Sequence, residues 1–454
     1  MFLAAGFLVL LVMIVSRQRF VHQTGLSGPH RNATRSSKAT EPTAAQRTER
    51  WRRTDHPTDQ RPAAEIVQEK VAKFALSRRR LAQRLSGNED PLPPEVEAFF
   101  AALQSGDWKR IESTFAVING GDTTASHTDK RTPEVSKMWP AIIDAFGAAE
   151  QAHLWPAQSL LDYGNSILDS LRPGMVYVGG TDSSRWVPAL LNDTEEGDQH
   201  VVITQNGLAD TTYLNYVAMQ FGDRINTLTD DDQKQVFELY RADALQRLEH
   251  DQNFPDEPKR IRPGENIKLI DGTVDVGGQT AIMDINERLL NKILERNSDL
   301  SFAIGESFPL KGTYADAIPL GPLMELRANA MENFTAERAS ESIDYWRKAA
   351  DLVLNDPEAL RSPDATRSYS HDATAAANLL AAHGFTAEAE SGYGVARQLW
   401  PGSPDVAAEL SELYKRTGRS AEAHQLLEDF VRQFPDQRQT LKEAWGISVE
   451  TSLP

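Results

Sequence analysis

The chain contains no cysteine. That excludes disulfides, thiolate nucleophiles and zinc–thiolate centres, and it leaves the redox compartment open. Long apolar runs are missing after Val15, so only the first residues are candidates to enter a bilayer. The body is short of positive charge. Residues 1–85 carry about sixteen Lys and Arg against about six Asp and Glu, and the net charge of the 454 residues is -17, so the remainder stands near -27. A body of that sign argues against nucleic acid as a partner, because phosphate contacts need clustered Lys and Arg. Motifs of known chemistry are also missing. There is no GxGxxG, P-loop lysine, GxSxG elbow, HExxH or EF-hand loop, and the ten histidines lack metal-ligand spacing. The sequence therefore assigns no catalytic residue, metal or cofactor.

What is present begins with Phe2 to Val15, an unbroken apolar run. Its length of about 14 residues fits an N-terminal anchor or the apolar core of a signal peptide. Arg17 and Arg19 follow at once without a small-x-small cleavage site, which favours an uncleaved anchor over residues 1–19. We place the soluble part outside the cytoplasm, although the basic flank does not fix the side. Residues 20–90 read as a basic linker, disordered where apolar residues are sparse. It contains one helix pattern, Ile66, Val67, Val71, Phe74 and Leu81, overlapped by Arg78, Arg79, Arg80 and Arg84. That pattern fits either a membrane-surface helix or a solvated basic helix leading into the fold.

Residues 91–172 read as helical. A pair spans Pro94 to Ile118 with Asp107 as an N-cap, and a further helical stretch runs from Trp139 to the stop at Arg172-Pro173-Gly174. Over residues 173–330, short apolar strands alternate with helices. Strands are expected at Met175–Val178, Val201–Thr204, Ile267–Gly277, Ser301–Ile304 and Leu323–Leu326. This alternation predicts an α/β Rossmann-like domain of three layers.

Ligands of open α/β sheets sit at the carboxyl ends of the strands. Three polar clusters fall there: Gly179-Gly180-Thr181-Asp182, Thr204-Gln205-Asn206 and Gly305-Glu306-Ser307. Gly180, Thr181, Asp182, Gln205, Asn206 and Glu306 are the candidate ligand-binding residues, because glycines ahead of a helix let N–H groups approach an anion or a sugar hydroxyl. The plain alternative is a tight turn followed by an N-cap, with Glu306 a capping or pairing carboxylate rather than an acid or base.

Residues 335–450 carry the most specific signal. Gly384 and Gly418 are 34 residues apart, as are Ala389 and Ala423, Ala377 and Ser411, Trp400 and Phe434, and Pro401 and Pro435. That is the tetratricopeptide period. Small residues at Ala377, Ala389, Ser411 and Ala423 let paired helices cross closely. Gly384 and Gly418 make the turns, and Pro401 and Pro435 end the second helices. Two repeats are fewer than a free-standing array needs, so a preceding helix at Ser342–Leu354, a capping helix at Gln439–Trp445 and the α/β domain are expected to support them.

The phrases SLRPGMVYVGGTD, VVITQNGLAD, RLEHDQNFPDEPK, IRPGE, ESFPLKGTYADAIPLGP and MELR follow one another from Trp139 to Arg327. In that order they resemble a group of bacterial membrane-anchored tetratricopeptide-repeat proteins. The Gly-Gly-x-Asp phrase is also similar to the soluble domain of transmembrane O-mannosyltransferase-like proteins. Those have a polytopic membrane domain holding the catalytic machinery, and this chain has one apolar segment.

These observations predict a membrane-tethered scaffold that takes a protein partner through its helical repeats. The competing reading is an accessory or catalytic subunit in glycan or surface-polymer transfer, working through the strand-end clusters.

Overall fold

The computed structural model describes residues 61–87, 91–120, 131–180, 182–197, 199–270, 272–305, 312–326 and 333–449. The apolar segment and most of the basic linker lie outside the described residues. Among the described residues, no helix is long and apolar enough to cross a membrane. The chain is mostly helical, with a small mixed sheet of five strands.

Helix α1, Ala63–Ser86, leads into the fold with Arg80 and Arg84 exposed on its outer face. It buries Val67, Val71, Phe74 and Leu81, and Arg78 with them, and it packs along α4, Pro133–Leu154. Its apolar face belongs to the core, so that face is not open to lipid. Helices α2, Pro94–Ser105, and α3, Trp108–Ile118, form the expected pair, and the Asp107 side chain accepts the Arg110 N–H at 3.3 Å. Helix α4 starts earlier than Trp139 because Thr132 caps it. It ends at Leu154, and α5 follows at Ala157–Leu168. Gly147 of α4 lies against the Trp186 ring, where an added Cβ would stand 2.1 Å from ring carbon.

Strand β1, Val176–Gly179, is buried at every residue and runs parallel to β2, Val201–Thr204, and to β5, Phe302–Ile304. A continuous apolar run is what a strand covered on both faces requires. Helix α6, Asp182–Asn192, makes the crossover from β1 to β2. Beside β5, β7 (Leu323–Leu326) is antiparallel and pairs outward with β6, Ala317–Leu320, giving the order β2-β1-β5-β7-β6. β3, Asn266–Ile270, and β4, Thr273–Gly277, form a separate hairpin outside this sheet. Helices α7, Thr211–Phe221, α8, Asp230–Asn253, and α9, Gln279–Arg296, fill the long passage from β2 to β5.

Six helices end the chain: α10, Ala336–Leu354; α11, Pro363–Ala382; α12, Thr386–Leu399; α13, Pro404–Arg416; α14, Ser420–Gln433; and α15, Arg438–Trp445. One apolar cluster runs without a break from Val67 to Leu413, so the helices before the sheet, the sheet and the α11–α12 hairpin share a core. The α13–α14 hairpin has a second cluster, with Leu427, Phe430 and Val431 sealed by Leu441 of α15.

Candidate functional site

The first two strand-end clusters meet. The Gly180 carbonyl accepts the Asn206 side-chain amide at 3.0 Å and the Thr204 hydroxyl at 3.3 Å, while the Gly180 N–H donates to Ser184 Oγ at 3.0 Å. The glycine backbone expected to face a ligand is thus taken up by its neighbours. Gln205 is fully buried, and neither polar atom of its amide has a hydrogen-bond partner among the described residues. The cavity beside Thr204 holds about 10 Å3, on the order of one water. Thr181 and Glu306 lie outside the described residues.

Asp182 is the first residue of α6 rather than the residue before it. Burial pushes its carboxyl up to about 6 against the opposing pull of Arg185. Glu150 of α4 is pushed up to about 7 by burial and by the charges of Asp182, Asp364 and Glu112. Around them, Ser183 donates to Gln151 Oε1 at 2.9 Å, and Ser368 of α11 donates to Ser183 Oγ at 2.9 Å. The start of α6 is therefore a junction with the helical hairpins. Among the described residues, no group of three His, Asp or Glu side chains is arranged to hold a metal.

Sequence reasoning missed the ionic knot behind these clusters. Arg78 of α1 donates to Asp193 at 2.6 Å, and its Nε lies 3.6 Å from Asp144 of α4. Asp144 also accepts from Arg185 at 2.5 Å and from the Tyr216 hydroxyl at 2.6 Å. Burial works to raise the Asp144 carboxyl, but the two guanidinium groups and the tyrosine hold it below its ordinary value. Two arginines against two aspartates leave no net charge for a ligand to answer. The knot joins α1, α4, α6 and α7, and Tyr213 ties it to β2 by accepting the Thr204 N–H at 2.7 Å. The only signal in the sequence was Arg78 falling on the apolar stripe of its helix.

The other phrases along this stretch have structural work in this fold. Glu265, of IRPGE, accepts from the Tyr240 hydroxyl at 2.8 Å, from Arg247 at 2.8 Å and from the Arg262 N–H at 2.9 Å. Asp251 accepts the Arg260 and Ile261 N–H groups at 2.8 and 3.1 Å and so folds the loop after α8. Glu325, of MELR, is buried in β7 and paired with Arg172.

The 34-residue spacing reappears as geometry. Gly384 and Gly418 sit at φ +82° and +80°, where only glycine is unstrained. The residue after each sends its N–H back five positions, Phe385 to Leu380 at 3.0 Å and Arg419 to Tyr414 at 2.8 Å. Ala377, Ala389, Ser411 and Ala423 are all fully buried, and the N–H groups of Trp400 and Phe434 close the second helices onto Ala396 and Phe430. Arg419 grips Glu390 through both nitrogens at 2.8 and 3.2 Å, joining one hairpin to the next. The first hairpin is seated on the body by Tyr163, which donates to Asp372 at 2.9 Å, and by His383, 2.7 Å from the Tyr314 carbonyl.

Comparison with known proteins found no matching family model, no matching curated protein and no matching solved structure.

Proposed function

We propose that this chain is a docking protein. In this reading, its C-terminal hairpins are tetratricopeptide-type repeats that bind a protein partner. The Rossmann-like part serves as their platform, and the N-terminal apolar run is a membrane tether. The observation that carries the reading is the turn repeated at Gly384 and Gly418, hydrogen bond for hydrogen bond, with small residues fully buried at each helix crossing. The strand ends support it from the other side, because Gly180 spends its hydrogen bonds on Thr204, Ser184 and Asn206. Purification of the tagged full chain from membranes tests the proposal. A defined partner is expected with the native chain. Ala423→Arg, which breaks the last hairpin, is expected to lose that partner while retaining the helical content of the rest. Retention of the partner by this variant would count against the reading.

A second reading, a subunit acting in glycan or surface-polymer transfer, draws on one feature. Glu150 and Asp182, pushed up to about 7 and about 6, are the kind of paired carboxyls that exchange protons near neutral pH. Glu150→Gln separates the two readings, since a docking protein keeps its partner when this carboxyl is lost.

A further inference from the structure

A cavity of about 330 Å3 opens between α5, α10 and α11. Its walls are of two kinds. Asp162, Asp169 and Asp356 supply carboxylates, while Leu352, Val353 and the Tyr369 ring supply apolar surface. No Lys, Arg or His is among the described residues that line it. Asp162 has only the Gln158 amide, at 2.9 Å, and Asp356 has the Ser159 hydroxyl at 3.4 Å and the Glu358 N–H at 2.9 Å. Neither is in a salt bridge among the described residues.

Tyr369 is an independent sign of a missing guest. It is 5% exposed, and its hydroxyl makes no hydrogen bond among the described residues. Its ring packs against Trp155 and Tyr163, and the residue lines the cavity together with Asp162. Burial and the nearby charge of Asp356 push the Asp162 carboxyl upward. Leu352, 46% exposed, leaves an aliphatic lip at the mouth.

We propose that this cavity binds a primary ammonium or guanidinium group carried on a short aliphatic stem. The stem lies along Leu352, Val353 and the Tyr369 ring, and the cation sits among the carboxylates, where charge-assisted hydrogen bonds and the face of an aromatic ring both favour it. Carboxylates only accept hydrogen bonds when ionised, so an anion is repelled and a neutral polyol gains less. A bare metal ion has no use for the apolar wall. The chemistry is shared by a free diamine and by a lysine or arginine side chain of a protein. The proposal stands whether or not the hairpins bind a partner.

Calorimetric titration of the full chain tests it with cadaverine as the free diamine, Nα-acetyl-lysine N-methylamide as the peptide side chain, and pentanediol as the neutral isostere. Saturable binding of at least one cation is expected, with pentanediol about tenfold weaker or worse. Whichever cation binds tighter identifies the source. Asp162→Asn and Asp356→Asn, near-isosteric and checked for native thermal unfolding, should each weaken the cation by about fivefold to tenfold. Tyr369→Phe should weaken it by a few-fold. Equal binding of pentanediol, unchanged affinity in both aspartate variants, or no saturable binding of either cation would overturn the proposal.

Discussion

Where α1 meets α4, α6 and α7, an ionic knot of Arg78, Asp144, Arg185 and Asp193 is largely buried beside the apolar contacts. Where α12 crosses α11 and α14 crosses α13, the helices bury small residues, Ala377 and Ala389 in the first pair and Ser411 and Ala423 in the second. The first junction brings Arg78 to Asp193 and Asp144 across distant stretches of chain, and every strong contact in it has a specific geometry. The second is built from neighbours in sequence, with Ala377 near Ala389 and Ser411 near Ala423, and it tolerates no bulk because all four are fully buried. Buried ion pairs recover their desolvation only when all partners are in place, so removing one is costly. Small-residue crossings depend instead on close approach, and they fail by overpacking.

The largest effect is expected at the ionic junction. Arg78→Met leaves Asp193 buried with only the neutral amides of Gln220 and Asn192 and takes one cation from Asp144. Urea unfolding should show a loss of about 3–5 kcal/mol. Adding Asp193→Leu should restore part of it, and a double-mutant cycle measures the coupling. Additive losses would mean that the pair is not a unit.

At the small-residue crossings, Ala389→Leu and Ala423→Leu should each cost about 1–3 kcal/mol. Ala389 belongs to the main cluster, whereas α14 packs chiefly on the smaller second cluster, so Ala389→Leu should lower the melting of the whole body more than Ala423→Leu does. Unchanged melting in both would remove the basis of the comparison.

The junction of the two regions carries a pH signature. The Glu150 carboxyl is held at about 7 in the fold against an ordinary 4.5, so the native state keeps its proton more tightly between those values. Its contribution is full below about pH 4.5 and is lost as pH rises through about 7. Glu150→Gln should therefore be more stable than the native chain by about 1–3 kcal/mol at pH 8, with the gain vanishing by pH 4. Comparing variant with native chain cancels the carboxylates held below their usual range, such as Asp251 and Glu265, whose effect runs the other way. A gain independent of pH would place Glu150 in an ordinary environment.

The smallest effect belongs to the hairpin turns. Gly384→Ala and Gly418→Ala meet no atom within 4 Å, so only the positive φ opposes them, and each should cost about 1 kcal/mol.

The same contrast explains what could be read in the sequence. Ala377, Gly384, Ala389 and their counterparts show in one dimension because helical hairpins pack near neighbours. Asp107 and the strands Val201–Thr204 and Leu323–Leu326 were legible for the same reason, since caps and short apolar runs are local. The role of Arg78 was not, because its partners lie more than sixty residues away and nothing in a basic run says which arginine turns inward. β6 was missed because Pro319 disguises an edge strand. Gly180, Gln205 and Asn206 follow directly on the ends of β1 and β2. That Gly180 would be bonded to Thr204, Ser184 and Asn206 rather than left open to a ligand depended on side-chain directions that spacing does not encode.

Site-specific photo-crosslinking in membranes tests the docking account most directly. Crosslinkers at the exposed positions Glu412 and Lys415 of α13 and Gln425 of α14 are compared with crosslinkers at the exposed positions Lys234 and Leu239 of α8. The account predicts one defined adduct from the hairpin positions and none from α8. The same adducts from both sets, or none from the hairpins, would contradict it.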